Sequence, residues 1–234
     1  MITLTKEIPN VDKINSAYAK ILCHHAAYGE YENIALFWTQ RDESGRVTAV
    51  ISSVDNEMTL YNNGGDYEEL SAFISAVSPK GIFTDRETAD KLCLHIVTEC
   101  TSLKKYPPHE SEQRIENTYA GVEHLLDILA QRLEIGSRDA AKADILHRTR
   151  HNCASFVTSD NSAGVIIYSG DIAVINGIAV KTDKAGLGLG RSTLNRLLEC
   201  VRARTVFVCA RPHNVAFYTK NGFEIDEESA YCRL

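Results

Sequence analysis

Two stretches of this chain carry residue types at spacings that could do chemistry. The first, KTDKAGLGLGRSTLNRLLECV (181–201), sets Gly186, Gly188 and Gly190 at alternate positions and then runs into a helical pattern. Each glycine costs about 0.5–1 kcal/mol inside regular structure, so either the turn needs them or something approaches the backbone. A strand, a tight glycine loop and a helix together make an anion site. The first helical turn leaves amide N–H groups without partners, and the helix dipole adds roughly half a positive charge. The plain alternative is a strand-to-helix connection with no ligand. The second stretch, NVAFYTKNGF (214–223), offers a phenol at Tyr218 and a carboxamide at Asn214. On residue type alone Tyr218 reads as a core aromatic beside Phe217, and Asn214 as a helix cap.

The common nucleotide loops fail on spacing. A P-loop counted from Gly186 needs glycine where Arg191 stands, and so does the dinucleotide fingerprint. The latter also lacks its ribose-binding acid, because TVFVCAR (205–211) ends without one. The stretch instead resembles the coenzyme A loop of the GCN5-related N-acetyltransferase (GNAT) family, Q/R-x-x-G-x-G/A. That family sets a strand valine ten residues before the last loop glycine, as Val180 precedes Gly190 here. One position departs: Ala185 stands where Gln or Arg is expected. Family loops bind pyrophosphate mainly through main-chain amides, so weaker binding rather than none is expected, with Lys184 or Arg191 supplying charge nearby. NVAFYTKNGF resembles the family's late N-x-x-F-Y-x-K-x-G-F signature, in the shorter spacing of glucosamine-phosphate acetyltransferases, and begins 24 residues beyond Gly190. The resemblance covers roughly residues 112–234. The first hundred residues match only in the order of their elements.

The resemblance implies an α/β (α+β) fold, with a mixed, mostly antiparallel central sheet flanked by helices. It also implies two domains, a degenerate GNAT-like, substrate-side half over 1–104 without the cofactor motif and an acetyl-CoA-binding catalytic half over 105–234. Ile178 and Val180 would offer main-chain groups to pantetheine and the thioester oxygen. Ala185, Gly186, Leu187, Gly188, Leu189, Gly190 and Arg191 would hold the diphosphate, with Asn214 and Tyr218 as further cofactor contacts. Tyr218 would be the general acid. The implied reaction moves an acetyl group from acetyl-CoA to a primary amine of a small molecule or peptide by direct attack. A different reading is a CoA-binding sensor without turnover. Ala185 and the lack of a carboxylate midway along DIAVINGIAV (171–180) favour it, and Tyr218 opposes it. The general base is not identified by the sequence.

These residues need elements to position them. Val11, Ile14, Tyr18, Ile21 and Leu22 recur at helical spacing, predicting an opening helix over 11–25. Strands are expected at 34–40, 46–54 and 57–61, with a hairpin at RDESGR. NNGGD (62–66) then breaks the pattern and Asp66 caps a helix through Leu70, Phe73, Ile74 and Val77. NNGGDYEEL stands where a duplicated fold would carry a cofactor loop, but its acids would repel pyrophosphate. GIFT (81–84) reads as a strand, and 86–103 is ambiguous. KKYPPHESE (104–112) reads as a linker. Ile115, Tyr119, Val122, Leu126, Leu129 and Leu133 form a helical stripe that reads as core or as a homodimer seam. A helix over 139–150, three strands from 154 to 180, a strand at 205–210 and final strands at 223–226 and 229–233 complete the chain.

Composition limits the partners. Of 234 residues 44% are hydrophobic, enough for a core, and a net charge of −6 with pI near 5.8 argues against nucleic acid. No run reaches the roughly 20 apolar residues of a membrane helix, and MITLTKEIPNVDK lacks a signal-peptide core, so a cytoplasmic protein is expected. Seven cysteines (23, 93, 100, 153, 200, 209 and 232) form no C-x-x-C pair and read as small buried hydrophobes. His147 and His151 in HRTRHN share a helical face without a third ligand. No metal is expected there. That segment reads as a solvated basic helix end or as acceptor-pocket lining.

Overall fold

The computed structural model describes residues 1–107, 119–133 and 135–234. In chain order the elements are β1 (Ile2–Leu4), α1 (Ser16–Tyr28), β2 (Ala35–Arg41), β3 (Val47–Val54), β4 (Glu57–Asn62), α2 (Tyr67–Val77), β5 (Gly81–Asp85), α3 (Arg86–Lys91) and β6 (His95–Lys105). There follow α4 (Tyr119–Leu129), α5 (Arg138–Arg150), β7 (Ala154–Thr158), β8 (Ser162–Ser169), β9 (Ile172–Val180), α6 (Leu189–Glu199), β10 (Thr205–Ala210), α7 (Pro212–Lys220) and β11 (Glu224–Arg233). The chain forms two compact units, Met1–Lys104 with Phe207–Leu234, and Lys105–Val206. Compactness therefore divides the chain differently from its motifs, because β11 pairs with β5 and β6.

In the first unit the strand order is β1-β2-β3-β4-β5-β11-β6-β10. The pairings β1–β2, β2–β3, β3–β4, β5–β11 and β11–β6 are antiparallel. The β4–β5 pair is parallel, as a crossover through α2 requires. Ala49 and Ile51 on β3 join Met58, Leu60, Leu70, Ile74 and Ile82 in one buried cluster. Ser52, facing the other way, meets His24 of α1 at 2.9 Å. Strand alternation thus gives α1 and α2 opposite faces. Helix α1 starts later than its apolar pattern predicts. Asn15 accepts the Tyr18 amide at 3.0 Å and caps the helix there, leaving residues 11–14 outside. Asp66 caps α2 as expected, accepting the amides of Glu68 and Glu69. The segment left ambiguous holds α3, capped by Asp85, and then β6.

In the second unit β7, β8 and β9 form an antiparallel meander. Val122, Leu125, Leu126 and Leu129 of α4 pack with Phe156, Ala163, Val165 and Ala179 on one face. Between Ala163 and Val165, Gly164 faces Thr193 and Leu197 of α6 on the other. Ile115, the Tyr119 side chain and most of the linker reading lie outside the described residues. Among the described residues no helix is long and apolar enough to cross a membrane.

Candidate functional site

The glycine loop belongs to the second unit. β9 leads into a 3-10 turn at Thr182–Lys184, and α6 begins after Gly188. Gly186 has φ +81° and Gly188 φ +78°, a region costing a side-chain-bearing residue about 1–2 kcal/mol. Around both, a Cβ would meet nothing within 4 Å. The backbone conformation, not crowding, selects glycine there. Gly188 caps α6 without a side-chain bond, and the first backbone bond across the loop–helix junction is Ser192 N–H to Gly188 O at 3.1 Å. Among the described residues, the amides of Gly186 to Arg191 thus have no protein acceptor. Leu187 is 68% exposed at the loop tip, and Arg191 is exposed in the first turn. On β9, Ile178 pairs with Gly164 and Val180 with Ser162, and Val180 O accepts from Arg132 Nε at 3.2 Å. A bulge at Asn176 shifts the register just before Gly177.

Tyr218 and Asn214 belong to the first unit, one turn apart on α7. Asn214 is not the helix cap. Arg211 holds that position, and Asn214 lies exposed in the first turn. The N-G-F end of the motif is a stop signal. Asn221 Nδ2 donates to Phe217 O at 2.7 Å, Gly222 turns at φ +81°, and the Phe223 amide closes on Tyr218 O at 3.1 Å. The turn brings the Phe223 ring edge-on to Tyr218, centroids 5.5 Å apart, while Phe217 flanks it at 5.0 Å. So enclosed, Tyr218 is 7% exposed. Burial, helped by Cys209 nearby, pushes its phenol up to about 12. A hydroxyl held in this way keeps its proton at every physiological pH.

The profile of the acetyltransferase (GNAT) domain matches residues 110–233, just over half of the chain. The chain belongs to the GNAT acetyltransferase family. No curated protein matches it. Among solved structures, a GCN5-related N-acetyltransferase from Kribbella flavida superposes with a TM-score of 0.60 at 12% identity, over 94% of this chain and 95% of its own. A tandem GNAT protein from the clavulanic acid biosynthesis pathway gives 0.54 at 10% identity, over 99% and 97%. A GNAT-family acetyltransferase from Colwellia psychrerythraea gives 0.51 at 13% identity, over the full length of both. At such identities the likeness is one of fold.

In this GNAT chain the first half carries its own glycine-containing turn, built to the opposite plan. The Gly65 amide donates to Asn62 Oδ1 at 2.8 Å and the Asp66 amide to Gln40 Oε1 at 3.0 Å. Asp66 Oδ1 takes the amides of Glu68 and Glu69 at 2.9 and 3.1 Å. A Cβ on Gly65 would collide with Gln40 and Asn62. This turn is filled by its own acceptors, and the turn at 186–191 is open.

The His147 and His151 rings stack 4.4 Å apart where α5 ends. Arg148 between them is not solvated. It is 4% exposed, with Nε 2.7 Å from Asp144. Sequence reasoning missed a polar cluster in the first unit. Ser102 Oγ lies 2.6 Å from Ser16 Oγ, 2.5 Å from Ser229 Oγ and 3.4 Å from Cys209 Sγ, and Glu227 lies beside Asn15. Glu227 falls in β11, which forms one strand rather than the two expected at 223–226 and 229–233. A bulge at Asp226, not a break, interrupts its alternation.

Proposed function

We propose that this chain is an acetyl-CoA-dependent N-acyltransferase acting on a primary amine of a small molecule or peptide. The row of unpartnered amides at Gly186–Arg191, set against the self-satisfied turn at 62–69, carries the reading. A diphosphate supplies the acceptors the open turn lacks, and the helix dipole adds attraction of about 0.3–1 kcal/mol. Ala185, Gly186, Leu187, Gly188, Leu189 and Gly190 would hold it through the main chain, with Arg191 adding charge. Ile178 and Val180 would align the pantetheine arm through their backbone groups, Asn214 would add a contact, and acetyl-CoA brings an acyl group already activated as a thioester. Orientation of that group beside the amine is worth about 7–11 kcal/mol when the geometry is good.

Tyr218 is the proton donor to the departing sulfur. Its phenol at about 12 stands roughly 3.5 units above an ordinary thiol, so complete transfer is uphill by on the order of 5 kcal/mol. Its contribution is a hydrogen bond that strengthens as charge gathers on sulfur. The first half, without an open turn of its own, would serve the acceptor side.

Calorimetry with acetyl-CoA and free-thiol release over an amine panel test this together. Binding with turnover of at least one amine is expected. Binding without turnover would leave the sensor reading, and no binding at millimolar acetyl-CoA would end both.

A further inference from the structure

The bulge in β11 has a chemical consequence. Ile225 pairs with Leu103 and Glu227 with Ser102, so Asp226 is the extra residue that breaks the alternation. Bulges of this kind re-aim side chains and cluster near active sites. The Asp226 side chain is 4% exposed, and its Oδ1 lies 2.7 Å from Lys104 Nζ. Among the described residues its Oδ2 is buried with no hydrogen-bond partner, and so is Glu227 Oε1 on the next residue. Nearly all buried polar atoms in folded proteins find partners, so two neighbouring carboxylate oxygens left orphaned by the described residues call for a further donor.

The surroundings say which donor. Asn15, which caps α1, lies beside Glu227, and Lys13 ahead of that helix stands 3.9 Å from it. Asp85 at the end of β5, Asp226 on its own strand, Tyr61 on β4 and Cys209 on β10 lie within electrostatic reach of it, and Asp12 within reach of Tyr61. Burial above all, with Asp85 and Asp226, pushes the Glu227 carboxyl up to about 7 against Asn15 and Lys13. A primary ammonium brings three N–H donors and a positive charge, where a thiol or hydroxyl brings one donor and none. Cys209 is within electrostatic reach of both Glu227 and Tyr218.

We propose that Glu227, with Asp226 beside it, binds the acceptor as its primary ammonium and removes its proton. The proposal rests on the transferase reading above. In the step, an N–H bond of the ammonium breaks and an O–H bond forms on Glu227, leaving a neutral amine with a free lone pair. Glu227, 17% exposed, then releases the proton to solvent. Formation of the C–N bond and cleavage of the C–S bond follow, the second amine proton leaving with the sulfur. The sum is ammonium plus thioester giving amide, thiol and one solvent proton.

Two measurements decide it. With the amine that gives the fastest thiol release, Glu227→Gln should lower kcat/KM at pH 7 by 10²-fold or more and abolish the limb near pH 7, with acetyl-CoA affinity unchanged. In protein carrying 13C at the glutamate carboxyl, the resonance lost in Glu227→Gln should titrate near 7 and move when n-butylamine is added. A chain that turns over amines with Glu227→Gln unimpaired overturns this assignment and keeps the transferase reading. A chain that turns over no amine, yet whose Glu227 resonance moves, loses that reading and keeps the ammonium site. A resonance unmoved by saturating n-butylamine overturns the site itself.

Discussion

Asp66 donates its amide hydrogen to Gln40 Oε1 at 3.0 Å, and that bond closes the glycine-containing turn before α2 against ligands. Gln40 is 1% exposed and also donates through Nε2 to Asp66 O at 3.1 Å and Glu69 Oε2 at 2.8 Å. A side chain placed this way does inside the protein what a phosphate would do from outside. Gln40→Ala should therefore leave the part-buried Asp66 amide unpaired and cost about 1 kcal/mol in urea unfolding. Acetyl-CoA affinity should stay unchanged. Gained affinity for acetyl-CoA or ATP in the variant would mean that the turn is a masked site.

Gly188→Ala separates backbone strain from ligand contact at the turn before α6. No atom stands within 4 Å of the added methyl, so the fold should lose only the roughly 1–2 kcal/mol of an alanine at φ +78°. Acetyl-CoA affinity should fall by at least tenfold, because methyl and ligand compete for the same approach. Unchanged affinity by calorimetry would move the coenzyme elsewhere.

Tyr218→Phe should lower kcat by about 10²–10³ at most and leave KM for acetyl-CoA within about twofold. Because the phenol sits near 12, it is protonated across the working range, and wild-type kcat should show no alkaline limb from Tyr218 below about pH 11. An unchanged kcat in the variant would remove Tyr218 from the chemistry and leave it as packing between Phe217 and Phe223.

The sequence spoke most clearly where one residue type has one physical use. Gly186 and Gly188 sit at positive φ, and Asp66 caps a helix, as their types imply. It was silent where local pattern and tertiary setting part. HIVTECTSLKK alternates weakly because β6 lies in a sheet with β11 and β10 beside it, and α3 is only six residues long, too short to show a period. Glu227 and Glu228 fall between the two strands expected at 223–226 and 229–233, yet β11 passes through them with a bulge at Asp226. Glu227 escaped notice for the same reason. β9 carries no carboxylate midway before the loop, whereas Glu227, 17% exposed, lies on the last strand and is brought to Asn15 by pairing far apart in sequence.

Glu227 should also shape stability against pH. Its folded carboxyl at about 7 lies above its ordinary 4.5, so the folded state holds the proton more tightly than the unfolded one. That contribution is complete below about pH 4.5 and is lost as pH rises through 7, a swing on the order of 3 kcal/mol. Glu227→Gln should remove the decline and leave the protein more stable than wild type at pH 8. Parallel stability curves for the two from pH 5 to 8 would show that the carboxyl titrates normally.

The motif-bearing segment should not stand alone. Residues 105–234 contain the loop and Tyr218, but β11 takes its partners from the first 105 residues. It pairs with β6 from Glu224 to Arg233 and with β5 from Ser229 to Cys232. Deleting 1–104 strips β11 of both neighbours and exposes Ala230 and Cys232, each 0% exposed in the whole chain. Each ladder bond contributes about 0.5–1.5 kcal/mol, so losing two ladders costs as much as the roughly 5–15 kcal/mol that holds a typical domain folded. A two-sided bare strand also invites pairing with other copies. The fragment should come out aggregated, and co-expression with 1–104 should return it to solution. A soluble, well-dispersed amide spectrum from the fragment alone, with acetyl-CoA bound, would show that β11 can find other partners.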